Sequence, residues 1–441
     1  MSTELKRIGE KARSDPQLVF TSLYHHVCDV DNLRACFEAL PGKRAVGIDG
    51  VTKEQYGSNL EANLQDLSER LRRMGYHPQP KRRSYIPTPG SEKGRPRGIS
   101  CFEDKLVELA VKRVLEPIYE MQFEDSSYGY RPQRSQHQCL DELGRTIQQK
   151  YVNHVVEADI RNFFGTVAHE WMLKFLHHRI GDPRILRLIA RMLKGGILED
   201  GLVQATEEGT PQGSILSPLL SNIYLHYVLD LWFSRKVRPN CRGEAYYVRF
   251  ADDFVACFQH RQEAKEFMEA LSGRLKQFRL ELAQEKTRCI EFGRFARQSA
   301  RRQRQKPEEF TFLGFTHYCG KTKKGYFKVK RRTSRKKLGA GLRAFAEWAR
   351  GARRKLTKAE MTQRAKARVQ GHLNYYAITD NAHACTRFVF FATRILWKWL
   401  NRKSQRKAYT WEQMNQALAW FRWPEVCIGI DLSPFRRAEV C

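Results

Sequence analysis

Two adjacent aspartates, Asp252 and Asp253, lie in the segment that most restricts how this chain can fold. The segment runs from Glu244 to Phe258 (EAYYVRFADDFVACF) and has an apolar run on each side of the two acids. Such a pattern predicts two paired strands with the acids at the turn between them. Unpaired carboxylates are costly to bury, so we expect a compensating cation beside them. An ordinary surface turn is the alternative, which the apolar flanks disfavour.

A third acid ends a separate apolar run. Residues His154 to Ile160 have the β-branched content of a buried strand, which carries Asp159 near its end. Oxygen-only ligands favour Mg²⁺, and two such ions about 3.5–4 Å apart can support phosphoryl transfer. We therefore predict that Asp159, Asp252 and Asp253 are the catalytic and metal-binding acids, with two Mg²⁺ ions as cofactor and Mn²⁺ as a substitute.

The charge of the chain indicates its class of partner. Lys and Arg number 78 against 48 Asp and Glu, a formal net charge of +30, and residues 294–368 alone hold 25 basic and 4 acidic residues. An excess of this size predicts nucleic acid rather than a membrane surface, because no amphipathic anchor accompanies it. No apolar run reaches the ~18 residues of a membrane span and no signal peptide is visible, so we expect a soluble cytoplasmic protein.

The other segments predict helices at both ends of a mixed region. Thr52 and Gln55 form a capping-box pattern at the start of a helix that should end near Gly75, and a basic hairpin follows, up to Ser100. Further helices are expected at 103–123, 338–350, 358–377 and 384–403. This mixture is typical of an α+β fold.

Several segments resemble, in order and spacing, the blocks of bacterial group II intron reverse transcriptases. Over about residues 45–320 they are GIDGVT (47–52), GRPRGIS (94–100), SYGYRPQRSQHQCL (127–140), EADIRNFFGTV (157–167), GTPQGSILSPLLSNIYLHYVLD (209–230), VRFADDFV (248–255), LELAQEKTRCIEF (280–292) and FLGF (312–315). Further on, GHLNYYAITDN (371–381) and WKWLNRKSQ (397–405) resemble the thumb, or maturase, region.

The resemblance implies a right-hand polymerase and a division of the chain. Residues 1–75 would form a helical N-terminal extension, 76–327 the fingers and palm, 328–405 a helical thumb, and 406–441 a short basic segment without an HNH endonuclease. It also implies an RNA-directed DNA polymerase that is intron-encoded and binds its intron RNA to assist splicing. Its partners would be structured RNA, an RNA template with a DNA primer, and dNTPs.

Individual roles follow from the same resemblance. Asp159 and Asp252 would ligate the ions, with Asp253 beside them, and the Phe164 ring would exclude a 2′-hydroxyl. The other nucleotide-binding residues would be Arg95, Gln212, Gly213 and Lys286. RNA contacts are assigned to Arg331, Arg332, Lys336, Lys337, Arg394 and Lys398. One departure is Phe250, which stands where the family usually has tyrosine.

Three other functions remain open from the sequence. A splicing maturase could dispense with its polymerase, although all three acids are present. A host-adapted reverse transcriptase could serve DNA repair or phage defence. An RNA-dependent RNA polymerase also uses paired palm acids, but Phe164 argues against it.

Overall fold

The computed structural model describes residues 3–88, 91–199, 201–204, 207–210, 212–402 and 409–433. The tip of the expected basic hairpin (89–90), Lys403 at the end of an expected helix, and residues 406–408 and 434–441 of the expected C-terminal segment lie outside this part. Within it, no helix combines the length and apolar character needed to cross a membrane.

Helices make up about half of the described chain. They are α1 (Thr3–Ser14), α2 (Tyr24–Cys28), α3 (Val30–Ala39), α4 (Lys53–Gly57), α5 (Leu60–Arg72), α6 (Phe102–Glu120), α7 (Gln136–Gln149), α8 (Phe163–Thr166), α9 (His169–His177), α10 (Pro183–Lys194), α11 (Ser217–Leu225), α12 (Arg238–Asn240), α13 (Arg261–Gln277), α14 (Ala296–Arg302), α15 (Arg335–Lys355), α16 (Lys358–Tyr376), α17 (Ala382–Asn401) and α18 (Trp411–Trp420). Between α11 and α12 the chain continues through π-helical turns at His226–Asp230 and Phe233–Val237.

The strands of the described residues form three sheets. They are β1 (Lys81–Thr88), β2 (Ser91–Ile99), β3 (His154–Ala158), β4 (Ile197–Glu199), β5 (Leu202–Gln204), β6 (Ala245–Phe250), β7 (Asp253–Phe258), β8 (Arg288–Glu291), β9 (Glu309–Phe312), β10 (Phe315–Lys321) and β11 (Phe327–Thr333). The sheet orders are β2-β1-β4-β5, β6-β7-β3-β8 and β11-β10-β9. Neighbours are antiparallel except β1 and β4, so the α+β expectation is confirmed.

The sheet β6-β7-β3-β8 lies between two cores because its side chains alternate. Val156 and Ala158 of β3 join a large core with helices that include α6, α9, α11 and α13. Val155 and Val255 point to the other face, where they join α7 and the three-stranded sheet β11-β10-β9. This period of two is the pattern of a strand that is covered on both sides. The strand end that carries Asp159 is thereby fixed from above and below.

Two expected elements are confirmed and one is corrected. Thr52 and Gln55 form the reciprocal capping box, and α6 buries Val107, Val111 and other positions of its apolar face. The helix expected to run from Thr52 to Gly75 is instead two helices, α4 and α5, which a turn at Ser58 and Asn59 separates.

The helical C-terminal region begins later than expected. The boundary placed near Lys328 falls inside β11, which pairs with β10 from Phe327 to Thr333. Helices therefore start at Arg335, after Ser334 caps the backbone amide of Lys337. Helices α15–α18 share a third core, and α18 contributes Met414 and Leu418 to it, so the segment after 408 is partly integrated into this bundle.

Candidate active site

The turn between β6 and β7 is held in a conformation that few residues adopt. Phe250 pairs with Asp253, which leaves Ala251 and Asp252 as the turn, and Ala251 has a φ of +56°. Gly129 lies against this turn, where a Cβ atom at position 129 would be 2.3 Å from the Ala251 amide nitrogen. Only glycine fits there, so the SYGYRP segment supports the acids directly.

A buried arginine fixes the same turn from inside. The Arg249 guanidinium donates to both carboxylate oxygens of Asp230, at 2.8 and 2.5 Å, and to the Ala251 carbonyl at 2.9 Å. It also donates to the amide oxygen of Asn222 at 3.0 Å, and the Asn222 amide donates to the Gly129 carbonyl at 2.6 Å. The Arg249 and Asp230 side chains are fully buried. The turn is therefore anchored to α11 and to the π-helical turn that follows it.

The structure brings the three predicted acids together. Ala158 of β3 pairs with Phe254 of β7, so the next residues, Asp159 and Asp253, stand opposite each other at the sheet end. Loss of surrounding water raises the pKa of Asp252, and the charge of Asp159 raises it further. Desolvation and the charges of Asp252 and Asp159 raise the pKa of Asp253 to about 6. Acids that repel each other in this way favour a bound cation.

The ligand geometry for a metal ion is incomplete in this structure. Among the described residues, no three His, Cys, Asp or Glu side chains converge closely enough to hold an ion by themselves. The ammonium of Lys286 donates to the Asp159 carboxylate at 2.5 Å and supplies a positive charge there. Lys286 thus lies beside the acids, as expected for a residue near the active site.

The raised pKa of Asp253 predicts a pH-dependent stability. Because its folded-state pKa of about 6 exceeds the ordinary value of 3.8, the charged carboxylate destabilises the fold above pH 6. Asp253→Asn should therefore raise the melting temperature at pH 7.5 without divalent ions. The gain should fade as the pH falls through 6 towards 4. Thermal unfolding across this range measures it, and a gain independent of pH would show that mutual repulsion is not the cause.

The nucleotide-binding candidates of the hairpin and the 209–213 loop meet beside the acids. The Arg95 guanidinium donates to the Gln212 amide oxygen at 2.7 Å, and the Gly98 amide donates to the Gln212 carbonyl at 2.7 Å. Gly213 has a φ of +112°, and a Cβ atom there would lie 2.7 Å from the Gly98 carbonyl oxygen. The positive charge of Arg95 acts on Asp252. Arg95 itself is exposed and can reach a bound anion.

Phe164 is tied to the same loop through its backbone. Its carbonyl accepts a hydrogen bond from the Thr210 amide at 2.7 Å, and Gly209 approaches it so closely that a Cβ atom would lie 2.8 Å away. The ring is 6% exposed and packs in the large core, 5.4 Å from the Phe163 ring. Ordinary packing also explains that burial, so a role for Phe164 in choosing the substrate stays a prediction.

Sequence reasoning missed several residues around the site. Tyr130 is half exposed, has a φ of +58°, and lies within electrostatic reach of Asp252, Arg95 and Arg97. The Lys81–Glu108 ion pair is buried at 2.9 Å, and Glu108 also accepts a hydrogen bond from the Ile215 amide, which holds the chain just after Gly213 against β1. The sequence signal that could have found Tyr130 was its position in the SYGYRP segment. The Lys81–Glu108 pair has no such signal, because the two residues lie far apart in the chain.

A cleft of about 880 Å³, which we call the Asp159 cleft, opens beside the acids. Its lining includes Asp159, Asp253 and Lys286, together with exposed Lys336 and Lys337 from the start of α15. Arg332 also lines it, although its guanidinium is paired with Glu309 at 2.5 Å. The lining of the cleft therefore contains both acidic and basic side chains.

Arg331 requires a correction. It is 2% exposed, and its guanidinium donates to the Leu140 carbonyl at 2.7 Å, so it cannot contact RNA as expected. Arg394 and Lys398 are exposed on α17 above the rings of Phe390 and Trp399, at 5.5 and 5.7 Å. They do not line the Asp159 cleft. The expected RNA-binding set is thus divided between two surfaces and loses one member.

Comparison with known protein families identifies the family to which this site belongs. The model of the reverse transcriptase (RNA-dependent DNA polymerase) family matches residues 79–317, more than half of the chain and all three acids. The chain belongs to the reverse transcriptase family. Reverse transcriptases use divalent metal ions, and three mutually repelling carboxylates with oxygen-only donors fit that chemistry.

The relatives of this reverse transcriptase include intron proteins. Group II intron-encoded protein LtrA of Lactococcus lactis subsp. cremoris is 37% identical over 233 residues, which are 52% of this chain and 38% of LtrA. Protein YkfC of Escherichia coli (strain K12) is 34% identical over 285 residues, 57% of this chain and 74% of YkfC. The mitochondrial nuclear intron maturase 1 of Arabidopsis thaliana is 28% identical over 112 residues, 24% of this chain and 15% of that protein. The chain spans less than half of the length of LtrA. These relatives confirm the resemblance to group II intron reverse transcriptases that the motifs indicated.

Proposed function

We propose that this chain is an RNA-directed DNA polymerase that copies RNA into DNA by nucleotidyl transfer. The observation that carries the proposal is the meeting of Asp159, Asp252 and Asp253 at one sheet end beside the Asp159 cleft, within a reverse transcriptase domain. The sheet β6-β7-β3-β8 would be the palm, the β1–β2 hairpin the fingers, and helices α15–α17 the thumb.

Each part of the site has a task in this reaction. Asp159, Asp252 and Asp253 would hold two Mg²⁺ ions, which when bound lower the barrier to attack of a primer 3′-hydroxyl and to departure of pyrophosphate. Arg95, oriented by Gln212, would bind the triphosphate of the incoming dNTP. Asp159 would give up its contact with the Lys286 ammonium when it holds the ions. Lys286 would then bind the substrate phosphates. Lys336 and Lys337 would hold the primer or template backbone across the cleft.

The RNA partner we propose is a group II intron RNA whose splicing the chain assists. Two observations support this partner: relatives named for group II introns, and the exposed Arg394 and Lys398 on a surface separate from the Asp159 cleft. Those cations above Phe390 and Trp399 combine charge with aromatic faces, which suits RNA.

Discrimination between dNTPs and NTPs tests the polymerase class. On an RNA template with a DNA primer, the protein should prefer dNTPs, and Phe164→Val should reduce that preference about tenfold or more because a smaller side chain admits the 2′-hydroxyl. Steady-state incorporation of each nucleotide measures it. Phe163→Val is the matched control, since it replaces the neighbouring buried ring with the same smaller side chain. Equal use of NTPs by the natural protein would exclude a DNA polymerase.

A further inference from the structure

A second cleft, of about 660 Å³, lies between α14 and the β10–β11 hairpin, and we call it the α14 cleft. Its lining is strongly basic and includes no acid among the described residues. The cations are Arg294, Arg297, Arg301, Arg304 and Lys321. None of them was among the residues expected to contact RNA.

The α14 cleft is separate from the Asp159 cleft. Both touch the sheet β11-β10-β9, but at opposite ends: Thr316 and Arg332 line the Asp159 cleft, whereas Lys321 and Phe327 line the α14 cleft. At about 3.3 Å per residue, the five steps from Thr316 to Lys321 correspond to roughly 17 Å. The two clefts are therefore distinct sites on this sheet.

The arginines of the α14 cleft are not neutralised by the protein. Among the described residues, no carboxylate lies within ion-pair distance of Arg294, Arg297, Arg301 or Arg304, whereas surface arginines such as Arg73 have acidic partners. Glu308, the first acid after Arg304, accepts a hydrogen bond from the Glu291 amide. In α14 itself, Arg297 and Arg301 stand four residues apart with like charge, which weakens the helix unless an anion lies between them.

Exposed aromatic rings accompany these cations. Phe295, just before α14, is 55% exposed, and Tyr326, between two residues that line the cleft, is 66% exposed. The Arg294 guanidinium lies 5.7 Å from the centre of the exposed Tyr151 ring. Single-stranded nucleic acids are bound by this combination of cations for phosphates and aromatic faces for bases.

We infer that the α14 cleft binds the phosphate backbone of a single-stranded segment of RNA, as a second contact of the polymerase with its RNA. The inference rests on the proposed function in that it takes RNA to be the partner. The α14 cleft would hold the RNA away from the acids. Loss of this cleft would therefore weaken binding of a long RNA without changing the chemistry of nucleotide addition.

Arg297→Gln/Arg301→Gln in the full chain tests the site. The matched control is Arg302→Gln/Lys306→Gln, which removes the same charge from the same segment at exposed residues that do not line the cleft. Affinity for a 40-nucleotide RNA is measured as a function of salt. The cleft variant should lose about tenfold in affinity at 0.1 M salt, and its salt slope should fall by about 1.4, because each phosphate contact on a single strand contributes about 0.7. The control should change by less than half as much.

Equal losses in the cleft variant and the control would overturn the inference, and so would a loss seen with duplex DNA but not with RNA. Extension of a short primer–template that cannot reach both clefts should stay within about twofold of the natural rate. If the natural protein does not extend primers at all, the proposed function fails, while the comparison of the two RNA-binding variants still reports on the α14 cleft.

Discussion

Asp252→Asn is expected to lower the rate of primer extension by on the order of a thousandfold, while affinity for the RNA template changes by less than about twofold. Asparagine keeps the shape of the side chain but removes the charge that the ions require at the turn between β6 and β7. RNA binding rests on basic residues elsewhere, so it should survive. Single-turnover extension and a separate binding titration measure the two quantities.

Asp66→Asn is the matched control for that substitution. Asp66 is an exposed acid of α5 that pairs with Arg70 at 2.7 Å, and it lies far along the chain from the three acids. It should leave extension unchanged. If Asp252→Asn extended primers at the natural rate, Asp252 would not be a metal ligand and the site would have been placed wrongly.

Arg249→Met is expected to destabilise the protein by about 3–5 kcal/mol, because it leaves the fully buried Asp230 carboxylate without its partner. Equilibrium unfolding in urea measures this loss. The double variant Arg249→Met/Asp230→Leu removes both charges, and it should recover most of the stability because two apolar side chains can fill the space.

The same double variant separates positioning from stability. In it, the Ala251 carbonyl still lacks the hydrogen bond from the Arg249 guanidinium that fixes the turn before Asp252. Primer extension should therefore remain at least about tenfold below the natural rate, through the rate constant of the chemical step rather than the KM for dNTP. Full recovery of activity together with stability would show that Arg249 is only a structural residue.

The elements that place the acids could be predicted from the sequence because their signals are local. The two apolar runs around Ala251 predict the β6–β7 hairpin, and the β-branched run before Asp159 predicts β3. Antiparallel pairing of β3 with β7 then brings the acids together. The pairing of β3 with β7 joins segments that lie far apart in the chain, so the residues alone do not predict it. The motifs of a known family indicated that the three acids belong to one site.

The incorrect RNA contact at Arg331 has a simple physical reason. The run KVKRRTSRKK indicates only a basic surface, but it begins within β11, where side chains alternate between the two faces of the sheet. Val329, Arg331 and Thr333 point inward, whereas Arg332 points to the Asp159 cleft. From the sequence alone, nothing distinguishes Arg331 from Arg332 as an RNA contact.

Contacts between distant segments could not be predicted. Lys81 and Glu108 pair inside the protein although they lie 27 residues apart, and Arg249 meets Asp230 across 19 residues. In the sequence each is one charged residue among many. The strand at Lys328 could not be predicted for a related reason, because the short strands β9–β11 carry too little local signal to reveal a sheet.

The most direct test of the proposed polymerase is extension of a DNA primer on an RNA template of defined sequence, with Mg²⁺ and the four dNTPs, followed by sequencing of the product. We expect DNA that is complementary to the template up to its end, and no such product from Asp252→Asn. A natural protein that binds the primer–template but makes no DNA, or makes DNA that does not follow the template, would contradict RNA-directed DNA synthesis.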